Sequence, residues 1–326
     1  YGGCSSDRTD QVLAPFAEKN YQKHLREFGS VIDDPAKLEA LAVKQTKKDI
    51  YDALQTLEYQ VNTLYSTQGQ TPFVTVGFGL GTSWIEREIQ KDILKIRILG
   101  LGKERRTAIF PKLVFTLKRG LNLKPEDPNY DIKQLAIECA TKRMYPDVVS
   151  YDTIKRLTGS FKAPMGCRSF LQGWTDPKTG KEVNAGRMNL GVITVNLPRI
   201  AMEANGNKAK FWKIFEERMR ICKEGLLYKV ERTKQATPES APILYKYGAF
   251  GHKLADTDSI DDLFKNGRAT VSLGYIGLYE VGTVFYGSAW EKNPDAKAFS
   301  VSIVKALDDH CKAWEKQYGY HFSVYG

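Results

Sequence analysis

Cys167 is the residue on which chemistry can most readily be built. It sits in Lys162-Ala163-Pro164-Met165-Gly166-Cys167-Arg168-Ser169-Phe170, with Gly159 and Ser160 before it and Gly173, Asp176, Pro177 and Gly180 after it. Turn formers on both sides predict a loop. A cysteine usually serves as a small buried hydrophobe, but one on a loop beside Gly and Arg is poorly placed for core filling. Arg168 can hold an anionic ligand near the sulfur. A thiol nucleophile needs a base such as histidine, and none of His24, His252, His310 and His321 is near it in sequence. A base could come from elsewhere in the fold, but a sulfur radical is chemically easier to accommodate. Asn189, in Gly186-Arg187-Met188-Asn189-Leu190-Gly191, stands at the start of a strand-like run. It is either a turn residue that satisfies its own backbone or a donor that orients a small carboxylate or a ribose hydroxyl.

The remaining reactive types are less promising. Cys139, Cys222 and Cys311 fall inside helical patterns, and Cys4 follows two glycines near the chain start. No cysteine pair has C-x-x-C spacing and no secreted disulfide framework is visible, so reduced thiols are expected. No two histidines lie three or four apart, which argues against a metal site. His310 and Cys311 point to different helix faces and read as structural. Gly77-Phe78-Gly79-Leu80-Gly81-Thr82-Ser83 is a glycine-rich turn between a strand and a helix. Backbone amides at a helix start bind phosphate. However, Thr82 stands where the dinucleotide fingerprint needs its third glycine, and the Gly-Lys-Ser/Thr ending of a P-loop is missing. A tight turn with close backbone packing fits better.

The elements that must position these residues follow from periodicity. The first 70 residues read as helix, with one stripe of Val12, Leu13, Phe16, Tyr21, Leu25 and Phe28. A second helix carries Ile50, Leu54, Leu57, Val61 and Leu64 at heptad-like spacing. That seam suits either a dimer contact or an ordinary core-facing helix. Strands are predicted at 73–78, 109–117 (interrupted by Pro111), 192–195, 243–245, 270–273 and the chain end. Helices are predicted from Ser83, where Glu86 completes a capping box, over 130–143, from about Asn207 and over 296–318. Short apolar strands alternating with long helices imply crossover units and a largely parallel sheet covered on both faces. An α/β barrel and an open doubly wound sheet both fit. With no linker, repeat or low-complexity segment, the chain reads as one domain.

The formal net charge is +10 and 42% of residues are hydrophobic, enough for a large core. Lys and Arg are spread evenly, so the charge suits nucleotide phosphates, nucleic acid or a merely solvated surface. No apolar stretch is long enough for a membrane span. Neither end looks like a natural terminus, which predicts a segment of a longer protein.

Several stretches resemble the anaerobic (class III) ribonucleotide reductases. They are Gly69-Gln70-Thr71-Pro72-Phe73-Val74-Thr75 leading into Gly77-Phe78-Gly79, then Phe110-Pro111-Lys112-Leu113-Val114-Phe115, and Tyr130-Asp131-Ile132-Lys133-Gln134-Leu135-Ala136. Met165-Gly166-Cys167-Arg168-Ser169-Phe170, Asn196-Leu197-Pro198-Arg199-Ile200 and Ser272-Leu273-Gly274-Tyr275-Ile276-Gly277 continue the likeness, which runs along essentially the whole chain. The resemblance implies a ten-stranded α/β barrel of two antiparallel five-stranded halves, incomplete at both ends here. A central finger loop would carry Cys167 as the radical cysteine, and residues 1–326 would be part of that single barrel domain. It implies reduction of ribonucleoside triphosphates to 2′-deoxyribonucleotides for DNA synthesis. A glycyl radical on a C-terminal segment generates the thiyl, the thiyl takes the 3′ hydrogen of the ribose, and formate supplies electrons. Asn189 matches the asparagine beside the 2′ and 3′ positions. Lys23, in Tyr21-Gln22-Lys23-His24, resembles a lysine of the nucleotide effector site at a homodimer interface. A radical-SAM activating enzyme is the implied partner and the cytoplasm the implied compartment, with no membrane and no nucleic acid involved.

The chain also departs from the family pattern. The family's second reactive cysteine, the ATP-binding cone, the four-cysteine zinc site and the glycyl radical loop have no counterpart in these residues. Cys4 stands where a non-cysteine is expected. The isolated segment is therefore expected to be inactive. A formate-lyase type of glycyl radical enzyme would carry two adjacent loop cysteines, whereas Arg168 follows Cys167. A non-catalytic nucleotide-binding module is the remaining alternative.

Overall fold

The computed structural model describes residues 3–64, 69, 71–165, 170–171 and 173–326. The chain divides into two compact units, Tyr1–Phe170 and Leu171–Gly326.

The first unit runs β1 (Gly3–Ser6), α1 (Thr9–Gly29), α2 (Pro35–Thr63), β2 (Phe73–Phe78), α3 (Trp84–Leu99), β3 (Lys112–Leu117), α4 (Tyr130–Arg143), β4 (Asp147–Ser150) and α5 (Tyr151–Thr158). Its four strands form a parallel sheet in the order β1-β2-β3-β4. Alternation along the strands sends Val76 and Phe78 of β2, and Leu113 and Phe115 of β3, into one core with Ile50, Leu54, Ile85, Ile89, Ile93, Ile132 and Cys139 of the helices. Helix α3 starts where expected: Ser83 caps it and Glu86 closes the box. The short strand β1 lies inside the region predicted to be wholly helical and pairs with β2. Pro111 does not interrupt β3 but precedes it, as expected for a residue without an N–H to give the ladder. Of the seam residues, Ile50, Leu54 and Val61 are buried within this unit, so its core accounts for these three, while Leu64 is exposed. A buried ion pair ties α2 to α3. Arg97 Nε donates to Glu58 Oε1 at 2.9 Å, and Nη2 donates to the Pro111 carbonyl at 2.6 Å. Burial raises the Glu58 carboxyl pKa, against the pull of Arg97.

The second unit runs β5 (Trp174–Thr175), β6 (Glu182–Val183), β7 (Met188–Asn196), α6 (Leu197–Ala204), α7 (Lys208–Lys234), α8 (Pro242–Tyr245), β8 (Ala269–Ile276), α9 (Leu278–Tyr286), α10 (Pro294–Tyr318) and β9 (His321–Tyr325). Strands β5 and β6 form an antiparallel pair, and β7-β8-β9 form a parallel sheet. Residues 243–245 are not the predicted strand. Pro242 at N1 fixes φ for a helix start, and one turn, α8, forms instead. The core gathers Val195, Ala269, Val271, Leu273 and Phe322 from the sheet with Phe211, Phe215, Leu226, Ile303, Leu307 and Trp314 from α7 and α10.

One feature of β8 departs from an ordinary buried parallel strand, whose faces are both apolar. Ala269, Val271 and Leu273 face the core. Thr270 and Ser272 alternate with them on the other face, preceded by Arg268, and all three polar residues are buried. Buried polar side chains off the core face are what a site needs and a scaffold does not.

Candidate active site

The register of the second sheet lines up Asn189 of β7, Thr270 of β8 and His321 of β9 in one row across three strands. The next row holds Val192, Ser272 and Ser323. Paired residues of parallel strands project to the same side, so these rows, polar except for Val192, form a face opposite the apolar core. A bulge interrupts β7 between Asn189 and Gly191, where Gly191 has φ +143°. Bulges re-aim a side chain next to functional sites. Asn189 uses both ends of its amide: Oδ1 accepts from the Gly191 N–H at 2.8 Å, and Nδ2 donates to Ser272 Oγ at 2.9 Å. It therefore satisfies its local backbone, as one sequence reading held, and it is also fixed across the sheet.

Two atoms of the Asn189 row have no partner among the described residues. Thr270 Oγ1 is buried and unbonded, and so is His321 Nε2. The other ring nitrogen of His321 is held by the Glu315 carboxylate, with Nδ1 at 3.1 and 3.2 Å from its oxygens. At the start of this face two arginines hold the chain that leads into β7. Arg187 Nη1 donates to the Leu171 carbonyl at 2.6 Å. Arg268 Nε donates to the Gly186 carbonyl at 3.0 Å, and its guanidinium lies 4.8 Å from the Trp174 ring centre. Burial lowers the Arg268 pKa. Cys167 itself falls in residues 166–169, outside the described residues.

The glycine-rich turn of the first unit is already filled. Asp10 Oδ2 accepts from the N–H groups of Gly79, Leu80 and Gly81 at 3.1, 3.1 and 2.8 Å. Asp10 is fully buried. Glu86 Oε2 takes the next two, Thr82 and Ser83. The nest of amides that a phosphate would occupy thus holds the chain's own carboxylate. Gly79 (φ +117°) reaches this conformation because it lacks a Cβ.

A family model, anaerobic ribonucleoside-triphosphate reductase, matches residues 1–326. The chain belongs to this family. It is 50% identical over 328 residues to the anaerobic ribonucleoside-triphosphate reductase of Escherichia coli, with all of this chain and 45% of that protein aligned. The enzyme of the same name from Enterobacteria phage T4 is 48% identical over 336 residues, with 53% of its length aligned. The chain thus spans about half the length of these relatives. Among solved structures, the anaerobic ribonucleotide reductase of Thermotoga maritima with citrate in the active site superposes with a TM-score of 0.62 at 19% identity, over 99% of this chain and 55% of that one. The same enzyme in complex with dATP and CTP gives 0.63 at 18% identity, over 99% of this chain and 50% of that one. These likenesses establish the α/β fold of the family.

Lys23 lies on α1, largely exposed, with Glu27 Oε1 at 3.7 Å. Cys4 is exposed on β1, while Cys139, Cys222 and Cys311 are buried. Burial pushes the thiols of Cys139 and Cys311 up to about 12. Those two are inert packing groups, as the helical periodicity implied. His24 is bound to Asp49 Oδ2 at 2.7 Å and His310 to Glu216 Oε2 at 3.1 Å. Among the described residues no group of His, Cys, Asp and Glu could hold a metal, and no helix is long and apolar enough to cross a membrane.

Sequence reasoning singled out Asn189 but not Thr270, His321, Arg268 or Asp10. A signal for the first was present, since Arg268-Ala269-Thr270-Val271-Ser272-Leu273 alternates polar and apolar at period two. Nothing local marks His321 or Asp10.

Proposed function

We propose that this chain is the central catalytic segment of an anaerobic ribonucleoside-triphosphate reductase, converting ribonucleoside triphosphates to 2′-deoxyribonucleoside triphosphates by radical chemistry. The observation that carries this reading is the family match along the full chain, together with the fold. The polar face of the second sheet supports it further. In the complete enzyme the strands close into a ten-stranded barrel forming one catalytic domain, and a finger loop brings Cys167 to its centre. A glycyl radical on a C-terminal segment beyond these residues converts the Cys167 thiol to a thiyl, and a zinc site lies in that same region. The thiyl removes the 3′ hydrogen of the ribose, the 2′ hydroxyl leaves as water, and formate supplies the reducing electrons. Asn189 orients the sugar with an amide already held by Ser272 and the bulge. Enclosure keeps solvent from the radical.

Lys23 contributes to a nucleotide effector site on a homodimer, so that substrate and regulator occupy separate sites, as allostery requires. A radical-SAM enzyme activates the protein in the cytoplasm. The segment alone, without its radical-bearing part, is inactive.

The test is turnover of the full-length enzyme under anaerobic conditions. Cys167→Ser reduces it to background, because a hydroxyl does not form the oxygen radical under these conditions, whereas Cys4→Ser retains it. Nucleotide reduction by the Cys167→Ser enzyme refutes the reading.

A further inference from the structure

We propose that His321 is a catalytic residue of the ribose chemistry: its Nε2 takes the proton of the 3′ hydroxyl and delivers it to the departing 2′ hydroxyl. This rests on the reading of the chain as a ribonucleotide reductase and goes beyond it in naming the proton carrier.

Three observations converge on His321. It stands in the row that holds Asn189, with Thr270 between them. Adjacent strands lie about 4.8 Å apart, so the two outer residues of the row are separated by roughly 10 Å between Cα atoms. A sugar ring flanked by two side chains fits that span. Next, Glu315 fixes the ring of His321 from the Nδ1 side. A carboxylate only accepts, so the hydrogen of the neutral imidazole sits on Nδ1 and Nε2 carries the lone pair. A carboxylate behind a histidine that faces a hydroxyl is the arrangement of a general base. Finally, among the described residues Nε2 is buried and unbonded, as is Oγ1 of Thr270, its register partner, and Thr270 is only 1% exposed. Buried polar atoms without partners are uncommon and call for a ligand or a role. Among the described residues neither is bonded, so each keeps an unused hydrogen-bonding position that an oxygen of the sugar would fill once the site is occupied.

The step balances. Once the 3′ hydrogen has gone, the 3′ O–H bond breaks and an Nε2–H bond forms. The electron pair left on the 3′ oxygen makes the carbonyl as the C2′–O bond breaks, the bonding pair leaving with the 2′ oxygen and the unpaired electron passing from C3′ to C2′. The leaving 2′ oxygen takes the proton from Nε2 and departs as water. One proton leaves one hydroxyl and one reaches its neighbour, with no oxidant consumed. The two hydroxyls are vicinal and on the same face of the ring, so a single imidazole serves both. The positioning residue is Glu315.

The experiment uses the full-length enzyme bearing its glycyl radical, with wild type, His321→Gln, Glu315→Gln and Cys167→Ser compared for kcat, KM and radical content by electron paramagnetic resonance. The expected result for His321→Gln is a fall in kcat of about 100-fold or more, with KM within about threefold and radical content unchanged. A kcat within about threefold of wild type overturns the proposal. So does a fall in kcat accompanied by matching changes in KM and radical content, which marks a structural role. Should His321→Gln fail to fold, Glu315→Gln decides: a selective loss of kcat supports the proposal and an unchanged kcat overturns it. Cys167→Ser separates the two levels. If it reduces nucleotides, the enzyme assignment fails. If it is inactive while His321→Gln behaves as wild type, only the role of His321 fails.

Discussion

Removing the carboxylate of Asp10 should loosen the glycine-rich turn and lower the stability of the first unit. Asp10→Ala deletes one oxygen that accepts three backbone N–H groups, from Gly79, Leu80 and Gly81. The Gly79 and Gly81 bonds are buried, while the Leu80 bond is only partly so. A buried donor left unsatisfied costs about 1–3 kcal/mol, and water can reach the third, so the expected loss is about 3 kcal/mol. Asp10→Asn should cost less, about 1–2 kcal/mol, because it keeps an oxygen for the three amides but buries an NH₂ for which the described residues provide no acceptor. The two variants also separate in pH. Burial raises the Asp10 pKa above its ordinary 3.8, outweighing the backbone hydrogen bonds that lower it. A carboxyl raised in the fold contributes stability that is full below the unfolded value and is lost as pH climbs through the folded one. Asp10→Asn should therefore gain on wild type as pH rises from about 4 to 7. Denaturant unfolding gives the energies, and hydrogen exchange in a peptide spanning residues 77–83 reports the amides themselves. Unchanged stability in Asp10→Ala, with those amides still protected, would refute the assignment of Asp10 as their partner.

Two further outcomes follow from burial. Glu58→Ala strands the fully buried guanidinium of Arg97, which should cost about 3–5 kcal/mol; a change below about 1 kcal/mol in thermal or denaturant unfolding would contradict the role given to this pair. In the native chain a thiol reagent at about pH 8 should label Cys4 before Cys139, Cys222 or Cys311, because Cys4 alone of these is exposed; peptide mapping that finds Cys139 labelled as fast as Cys4 would show that its burial is wrong.

Some of the architecture was legible in the chain because it is local. Helix α3 begins where a serine and a glutamate three residues later satisfy each other's backbone, and α4 spans the residues that its composition marks. The single turn at Pro242–Tyr245 was misread because three residues of apolar sequence carry no period, and the proline ahead of them decided the matter. Strand β1 escaped notice because its partner is β2, some seventy residues away.

The site divides along the same line. Sequence alone marked Cys167 by its turn-rich loop and Asn189 by its place before a strand, and the long stretches of resemblance named the family. Only the tertiary structure set Asn189, Thr270 and His321 in one row, since strand register is a property of pairing and not of any one segment. Only it showed that the glycine-rich turn is filled by Asp10, because that carboxylate arrives from a distant helix. Residue type and local spacing determine which chemistry is available; which groups meet is decided by hydrogen bonds and packing between parts of the chain that sequence order keeps far apart.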